Sequence, residues 1–561
     1  MSGVDVFEHE HQSSDSGQAI NGGHAMNSRI PRISLISDLP AAAAGATPDA
    51  EALKAGGTSC SYGELERGVQ RFASSLLGFG LAAQERVALY ADKSIELVTA
   101  MFGACRAGGV MVPVNPLLKA EQVGYILRDC NVAVLVTTEQ RLATLALVLP
   151  QCHDLRLVVV LASETPERPL ANGIVAQSYR SFTGGGEPRR PHRVIDADMA
   201  AILYTSGSTG QPKGVVLSHR NMLAGAQSVA QYLDNQPGDR ILAVLPLSFD
   251  YGLSQLTTAF LSGATAVLHN YLLANDALRV LARERITGLA AVPPLWLQLA
   301  ALPWPEGINE HLRYFTNSGG AMPTATLAAL RERVPAAKPF LMYGLTEAFR
   351  STYLPPEEID RRPTSIGKAI PNAEILVLRE DGTPCADNEP GELVHRGALV
   401  SLGYWNDAAR TAERFKPLPR RSPGIVPPEL AVFSGDTVRR DEEGFLYFVG
   451  RRDEMIKSSG YRISPTEVEE AAYRTGLVAE VAAMGIEHPT LGQAVVLVAL
   501  PAAGREPDTE ALLAACREFL PGFMMPTQID WLDRELPRNA NGKIDRKLLS
   551  TQRAGMFANA S

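Results

Sequence analysis

YTSGSTGQPKGVVLSH, Tyr204 to His219, places small and flexible residues after an apolar strand-like run (AAILY) and ahead of a helix start, with a lysine among them. A loop of this composition is suited to wrapping phosphate. Gly207, Gly210 and Gly214 remove side chains that would hold the backbone away from a ligand. Thr205, Ser206, Ser208 and Thr209 add hydroxyl donors to the free N–H groups, and Lys213 supplies a mobile cation. The string differs from GxxxxGK[ST], because counting from Gly207 puts Pro212 where the second glycine must be. A flexible Gly/Ser linker is the competing reading, but apolar runs flank the loop on both sides (AAILY, then VVL), which linkers seldom have.

Working outward, the 561-residue chain is long enough for at least two domains, and 45% hydrophobic with 20% charged residues is ordinary for a globular protein. Its net charge of -8, with Lys and Arg spread throughout, argues against a nucleic-acid binder. The longest apolar runs, near Leu157–Ala162 and Ala494–Leu500, are strand-sized, so no transmembrane segment is predicted and a cytoplasmic location is expected. Cys60, Cys105, Cys130, Cys152, Cys385 and Cys516 lack CxxC spacing and are expected to be reduced and mostly buried.

Residues 1–30 are polar, glycine-rich and aperiodic and read as a disordered tail; His9 and His11 there make at best a weak metal site. From Ser61 helix-like stretches (YGELERGVQRFASSLLGFG) alternate with β-branched runs (RVALY, VAVLVTT, LRLVVVLA), the pattern of α/β layers around parallel strands. TGGGEPRRPHRV, from Thr183 to Val194, reads as a surface connection. After the phosphate loop, DRILAVLPLS and ATAVLH read as strands and NDALRVLARERITGL as a helix. EILVLREDGTPCADNEPGELVHRG has two strand-like halves around Asp381-Gly382, predicting an antiparallel pair. Ser464-Pro465-Thr466-Glu467 predicts a helix start with Ser464 as cap and Glu467 completing a capping box. The expected organisation is therefore a core over 31–452, a small domain over 453–550 and a tail over 551–561.

Four further strings fall in order: Asn317-Ser318-Gly319-Gly320-Ala321, Tyr343-Gly344-Leu345-Thr346-Glu347, Ser434-Gly435-Asp436 running on to FLYFVGRRDEMIKSSGYRISPTEVEE, and Pro537-Arg538-Asn539-Ala540-Asn541-Gly542-Lys543. With the phosphate loop they resemble the AMP-forming adenylating superfamily, which includes acyl-CoA synthetases, peptide-synthetase adenylation domains and firefly luciferase. The resemblance covers about residues 30 to 550. It implies an α/β fold, with a large N-terminal domain of layered sheets and helices and a small mobile α+β C-terminal lid. It further implies ATP, Mg²⁺ and CoA, or the phosphopantetheine of a carrier protein, as cofactors.

By the same resemblance, Gly319, Gly320 and Ala321 form a substrate and adenine wall, Tyr343 packs on adenine with Gly344 also in the nucleotide site, and Thr346 meets the α-phosphate. Glu347 holds Mg²⁺, a hard cation that takes oxygen ligands. Asp436 holds the ribose hydroxyls, Arg451 adds a ribose or phosphate contact, and Asp453 is the hinge. Lys543 is the adenylation lysine, while Lys457, with Gly460 and Arg462, belongs to the loop that serves the second half-reaction. The implied reaction is attack of a carboxylate on the α-phosphate of ATP, then transfer of the acyl group to a pantetheine thiol.

The substrate segment LPLSFDYGLSQ departs from many acyl-CoA synthetases, having Phe249 where those carry a histidine. Ser248-Phe249-Asp250 resembles instead the segment of amino-acid-activating domains whose Asp pairs with a substrate amine. A carboxylate in a pocket needs a cationic partner, which points to an amine-bearing acid, with Tyr251 and Ser254 lining the pocket. The alternative is that Asp250 turns outward or bonds to backbone. CoA is the expected acceptor and a separate carrier protein the alternative. The Pro-rich segment Phe415–Asp436 also resembles acyl-CoA ligases of a bacterial exosortase-associated group. A luciferase-like oxygenase would share the nucleotide motifs, but no feature here demands oxygen chemistry.

Overall fold

A computed structural model describes residues 33–162, 167–185, 187–205, 212–418, 429–451, 454–458, 461–539 and 542–558. The expected tail over 1–30, with His9 and His11, lies outside them.

The first long helix, Tyr62–Phe79, shows how local chemistry sets the elements. Ser61 and Glu64 form a reciprocal capping box, and Gly80 ends the helix at φ 92°, where a side chain would be strained. Its apolar face, with Leu65, Val69, Phe72 and Leu76 fully buried, packs on the helix Ile95–Ala107.

Among the described residues three sheets form, of fourteen, nine and five strands. The nine-stranded sheet has a parallel centre in which Val110–Pro113, Arg86–Tyr90, Val132–Thr138 and Leu157–Leu161 lie side by side. Strands buried on both faces read as the continuous β-branched runs seen in the sequence. The fourteen-stranded sheet is parallel from Glu51–Ala55 to Lys338–Tyr343 and antiparallel beyond, where Thr352–Leu354 begins the return. Ala373–Leu378 and Gly391–Gly397 make the expected antiparallel pair, in register Val377 to Leu393.

Three sequence expectations are corrected. The phosphate loop joins two strands, not a strand and a helix: Met199–Thr205 pairs antiparallel with Lys213–Ser218, Thr205 opposite Lys213. The β-branched Val215-Val216 continue the sheet, and the helix starts only at His219 under a Ser218 cap. NDALRVLARERITGL is helical only as Ala274–Arg283, since Arg285 takes φ 52° and Gly288–Ala291 is a strand. Ser464 accepts from the Glu467 amide at 3.3 Å with Pro465 in the first turn, but no return bond from Glu467 completes a box among the described residues. That carboxylate faces the charges of Glu470 and Arg439 instead.

All six cysteines are free and buried. The five-stranded sheet, centred on Val478–His488 and Gly492–Pro501, has apolar clusters drawn wholly from residues after Asp453. Asp453 itself lies outside the described residues. No described helix is long and apolar enough to cross a membrane.

Candidate active site

The hairpin that flanks the phosphate loop carries two site residues on facing positions. Thr205 Oγ1 is buried without a hydrogen-bond partner, a hydroxyl still able to serve a ligand. Opposite it, Lys213 Nζ lies 2.8 Å from Glu347 Oε1 and 2.9 Å from the Tyr404 hydroxyl, which itself donates to Glu347 at 2.7 Å. Burial raises the Glu347 pKa, but Lys213 and Tyr404 outweigh it and hold the carboxyl below its ordinary value. Tyr404 gets there by pairing with Val215 on the outer side of the hairpin. Ser206, Gly207, Ser208, Thr209 and Gly210 lie outside the described residues. Gly214 is required by packing, because a Cβ there would stand 2.7 Å from Ile202 Cγ2.

Glu347 and Thr346 sit in a short turn after the strand Lys338–Tyr343, and the amide of Ser401 bonds the Glu347 carbonyl at 2.9 Å. The Tyr343 hydroxyl donates to Asp436 Oδ2, while Asp436 Oδ1 is left without a hydrogen bond. Arg451, paired across the strands with Asp436, brings Nη1 to 3.7 Å of that oxygen. Burial pushes the Asp436 carboxyl above its ordinary pKa, against the pull of Arg451 and Tyr343. Gly344 backs onto Arg350, whose Cα would lie 3.2 Å from an added Cβ.

Gly319, at φ 82°, marks a convergence. A Cβ at this position would meet Val292 Cγ1 at 3.5 Å, Lys543 Cε at 3.6 Å and Phe249 Cζ at 3.7 Å. Lys543 therefore comes from the C-terminal body to the wall formed by Gly319. The residue stays exposed overall, yet the protein around its ammonium depresses its pKa, with Asp250 the largest opposing charge. Gly320 and Ala321 are exposed beside it. Lys457 is exposed on the strand Ile456–Ser458, its amide bonded to Gln493 Oε1 at 2.8 Å, and it makes no described bond to this cluster.

Asp250 corrects an expectation. The carboxylate does not turn outward; it has a backbone hydrogen bond at Tyr251, and Oδ2 lies 2.9 Å from Arg350 Nη1, with the pair nearly sealed from solvent at 5% and 2% side-chain exposure. The cation that a substrate amine was expected to supply is thus already in the protein. Thr346 Oγ1 approaches the other oxygen at 3.5 Å. Tyr251 is buried, its hydroxyl bonded to Thr316 and its ring 4.7 Å from the Arg350 guanidinium carbon, so it serves as packing for the pair. Ser254, one turn beyond Asp250 in the helix Asp250–Ser262, has a buried hydroxyl with no partner.

Sequence reading did not reach Arg350 or Tyr404. Arg350 offered a signal, a lone charge in the otherwise uncharged AFRSTYL, directly after Glu347. Tyr404 gave none, as its place depends on strand pairing.

Residues 41–405 match the AMP-binding enzyme family and residues 467–543 match the AMP-binding enzyme C-terminal domain. The chain belongs to the AMP-binding enzyme family. It is 31% identical over 505 residues to the indoleacetate–CoA ligase of Aromatoleum aromaticum, covering 89% of this chain and 94% of that one. It is also 31% identical over 510 residues to tyrocidine synthase 3 of Brevibacillus parabrevis, covering 90% of this chain but spanning only 7% of that protein's length. Among solved structures, o-succinylbenzoate CoA synthetase of Bacillus subtilis in complex with its acyl-adenylate intermediate superposes with a TM-score of 0.77 at 26% identity, covering 91% of this chain and 97% of that chain.

Proposed function

We propose that the protein is an AMP-forming acid–thiol ligase, which activates a carboxylic acid with ATP and passes the acyl group to CoA. The observation that carries this reading is the place of Lys543. A lysine from the C-terminal body stands against Gly319 and Phe249, next to the Asp250–Thr346 contact, where an acid and an α-phosphate would meet.

In the first step a carboxylate oxygen of the substrate bonds to the α-phosphorus of ATP and the bond to the leaving pyrophosphate breaks. Lys543, preorganised in a partly desolvated place, stabilises the charge on the attacking and α-phosphate oxygens. Thr346 donates to the α-phosphate. Lys213 exchanges its bond to Glu347 for the triphosphate, which frees a carboxylate oxygen. One ionised carboxylate plus substrate phosphates is a coordination mode that Mg²⁺ takes, so the residues present fit that ion, with Glu347 as its protein ligand. When bound, the ion would neutralise triphosphate charge. Asp436 Oδ1, without a hydrogen bond, is the acceptor for the ribose hydroxyls, and Tyr343 holds the other oxygen.

In the second step the pantetheine thiolate attacks the acyl carbon, and AMP leaves with the electrons of the acyl–oxygen bond. Lys457, exposed while Lys543 occupies the site, is the residue assigned to that step after the small domain rotates at Asp453. The full-length similarity to an indoleacetate–CoA ligase supports CoA as acceptor; loading of a separate carrier protein is the second reading, supported by the similarity to part of tyrocidine synthase 3.

The test is pyrophosphate release across fatty, aromatic, dicarboxylic and amino acids, followed by addition of CoA or a pantetheinylated carrier protein. Acid-dependent pyrophosphate release with CoA thioester formation is expected. ATP turnover that no acid stimulates would overturn the reading.

A further inference from the structure

Arg350 is 2% exposed, and a guanidinium taken that far from water is costly unless its donors are met. Nη1 is fully engaged, bonding Asp250 Oδ2 at 2.9 Å and the Phe349 carbonyl at 3.0 Å. Aromatic rings accompany the guanidinium, Tyr251 with its centroid at 4.7 Å and Phe349 at 5.6 Å. Nε and Nη2 are buried and have no partner. A few buried polar atoms go unpaired in any protein, but two on one guanidinium form a pattern.

Geometry gives the pattern meaning. The Nε–H and Nη2–H bonds point the same way along one edge of the planar group, spaced to meet both oxygens of a carboxylate. Had Arg350 served only to neutralise Asp250, a bidentate pair through this edge or through the Nη1–Nη2 end would be expected. Asp250 instead takes a single nitrogen at the far end and leaves the fork free.

The position is as telling. Arg350 ends the turn that carries Thr346 and Glu347, and Phe349 holds φ 55°, uncommon for a bulky residue, at the point where the chain swings Arg350 inward. Asp250 links the guanidinium to the reacting groups, since Thr346 approaches its second oxygen and Lys543 is the next charge. The unpartnered hydroxyl of Ser254 lies one helical turn beyond Asp250, on the same face of the helix.

We propose that Arg350 is a specificity-determining residue whose Nε–Nη2 edge receives a second carboxylate of the substrate, so that the acid taken by this site is a dicarboxylic acid. The inference rests on the acid-activation reading and names its substrate class. Lys543 takes the reacting carboxylate and Arg350 the remote one, so two cations face the two charges of the substrate. Asp250 then acts as a positioning residue that fixes the guanidinium from behind. An acid lacking the second carboxylate would leave the fork unpaired, and a site built for a hydrogen-bonded group discriminates strongly against an analogue without it.

The test is calorimetric titration of the full-length protein, with α,β-methylene-ATP present, using chain-matched pairs: butyrate with succinate, hexanoate with adipate, octanoate with suberate. At least one dicarboxylic acid is expected to bind about 100-fold more tightly than its partner. Arg350→Lys keeps the charge opposite Asp250 but loses the planar fork, and should reduce that preference to less than about threefold by weakening the dicarboxylic acid. A double variant, Asp250→Asn with Arg350→Gln, removes the buried charges together and should lose the same preference with the melting temperature held near wild type.

Equal affinity within every pair, no binding of either class, or a preference that survives in both variants overturns the assignment. Binding needs no turnover, so the two readings fail separately. A dicarboxylic acid that binds through Arg350 without releasing pyrophosphate upholds the assignment and overturns acid activation. Pyrophosphate release confined to monocarboxylic acids does the reverse.

Discussion

Lys543 and Lys457 are alike in charge, yet only Lys543 reaches the Gly319 wall here, so their loss should have different consequences. Lys543→Ala is expected to lower acid-dependent pyrophosphate release by about 10²–10³-fold, the usual effect of removing one preorganised contact to developing charge. Preformed acyl-adenylate should still react with the thiol. Assaying the two half-reactions separately checks this, and equal damage to both would count against the division. At this scale the motifs that carry Lys213, Glu347, Asp436 and Lys543 were legible in the sequence, and the structure brings Lys213 to Glu347 and Lys543 to the Gly319 wall. The Asp250–Arg350 pair was not legible. Its members lie 100 residues apart and meet only because the helix Asp250–Ser262 and the turn after Tyr343 pack together.

The element that sets that turn is the helix His219–Leu233, which presents Gly225 to the buried ring of Phe349. Replacing a helical glycine by alanine ordinarily stabilises by about 1 kcal/mol. Here the new Cβ would stand 2.3 Å from Phe349 Cδ1, on a ring that is fully buried. Gly225→Ala is therefore expected to destabilise by about 1–3 kcal/mol and to weaken catalysis through displacement of Thr346. Urea unfolding together with pyrophosphate release measures both, and a stabilised, fully active variant would show that the ring moves freely. The same helix explains a misreading. The loop reads as running ahead of a helix start because VVL, a short apolar run, has no distinguishing period of its own, and its pairing with Met199–Thr205 makes it a strand. The parallel strands of the nine-stranded sheet were easier, each being a β-branched run bounded by polar turns.

Across the whole molecule, two buried histidines tie stability to pH. Burial pushes His219 down to about 4 and His395 down to about 3, so both are neutral in the folded protein at pH values where the unfolded chain binds their protons. The unfolded state then gains protons as pH falls below the ordinary histidine value of 6.5, and stability falls with it until the folded values are reached. Each histidine contributes a slope of up to about 1.4 kcal/mol per pH unit in that window. Urea midpoints between pH 7.5 and 4.5 should show the fall, and His219→Gln with His395→Asn should flatten it; an unchanged slope would place its origin in the carboxylates. The other large-scale matter is the rotation proposed for the small domain. Its own apolar clusters allow it to move as a unit, and a rotation between two positions has to be absorbed by a few backbone dihedrals. Placing that hinge at Asp453 predicts that Asp453→Pro, by fixing φ, holds Lys543 at the Gly319 wall and keeps Lys457 away from it. Acyl-adenylate should accumulate in that variant while thioester formation falls, as followed by quenched-flow separation of the two products. Normal rates for both steps would move the hinge to another residue.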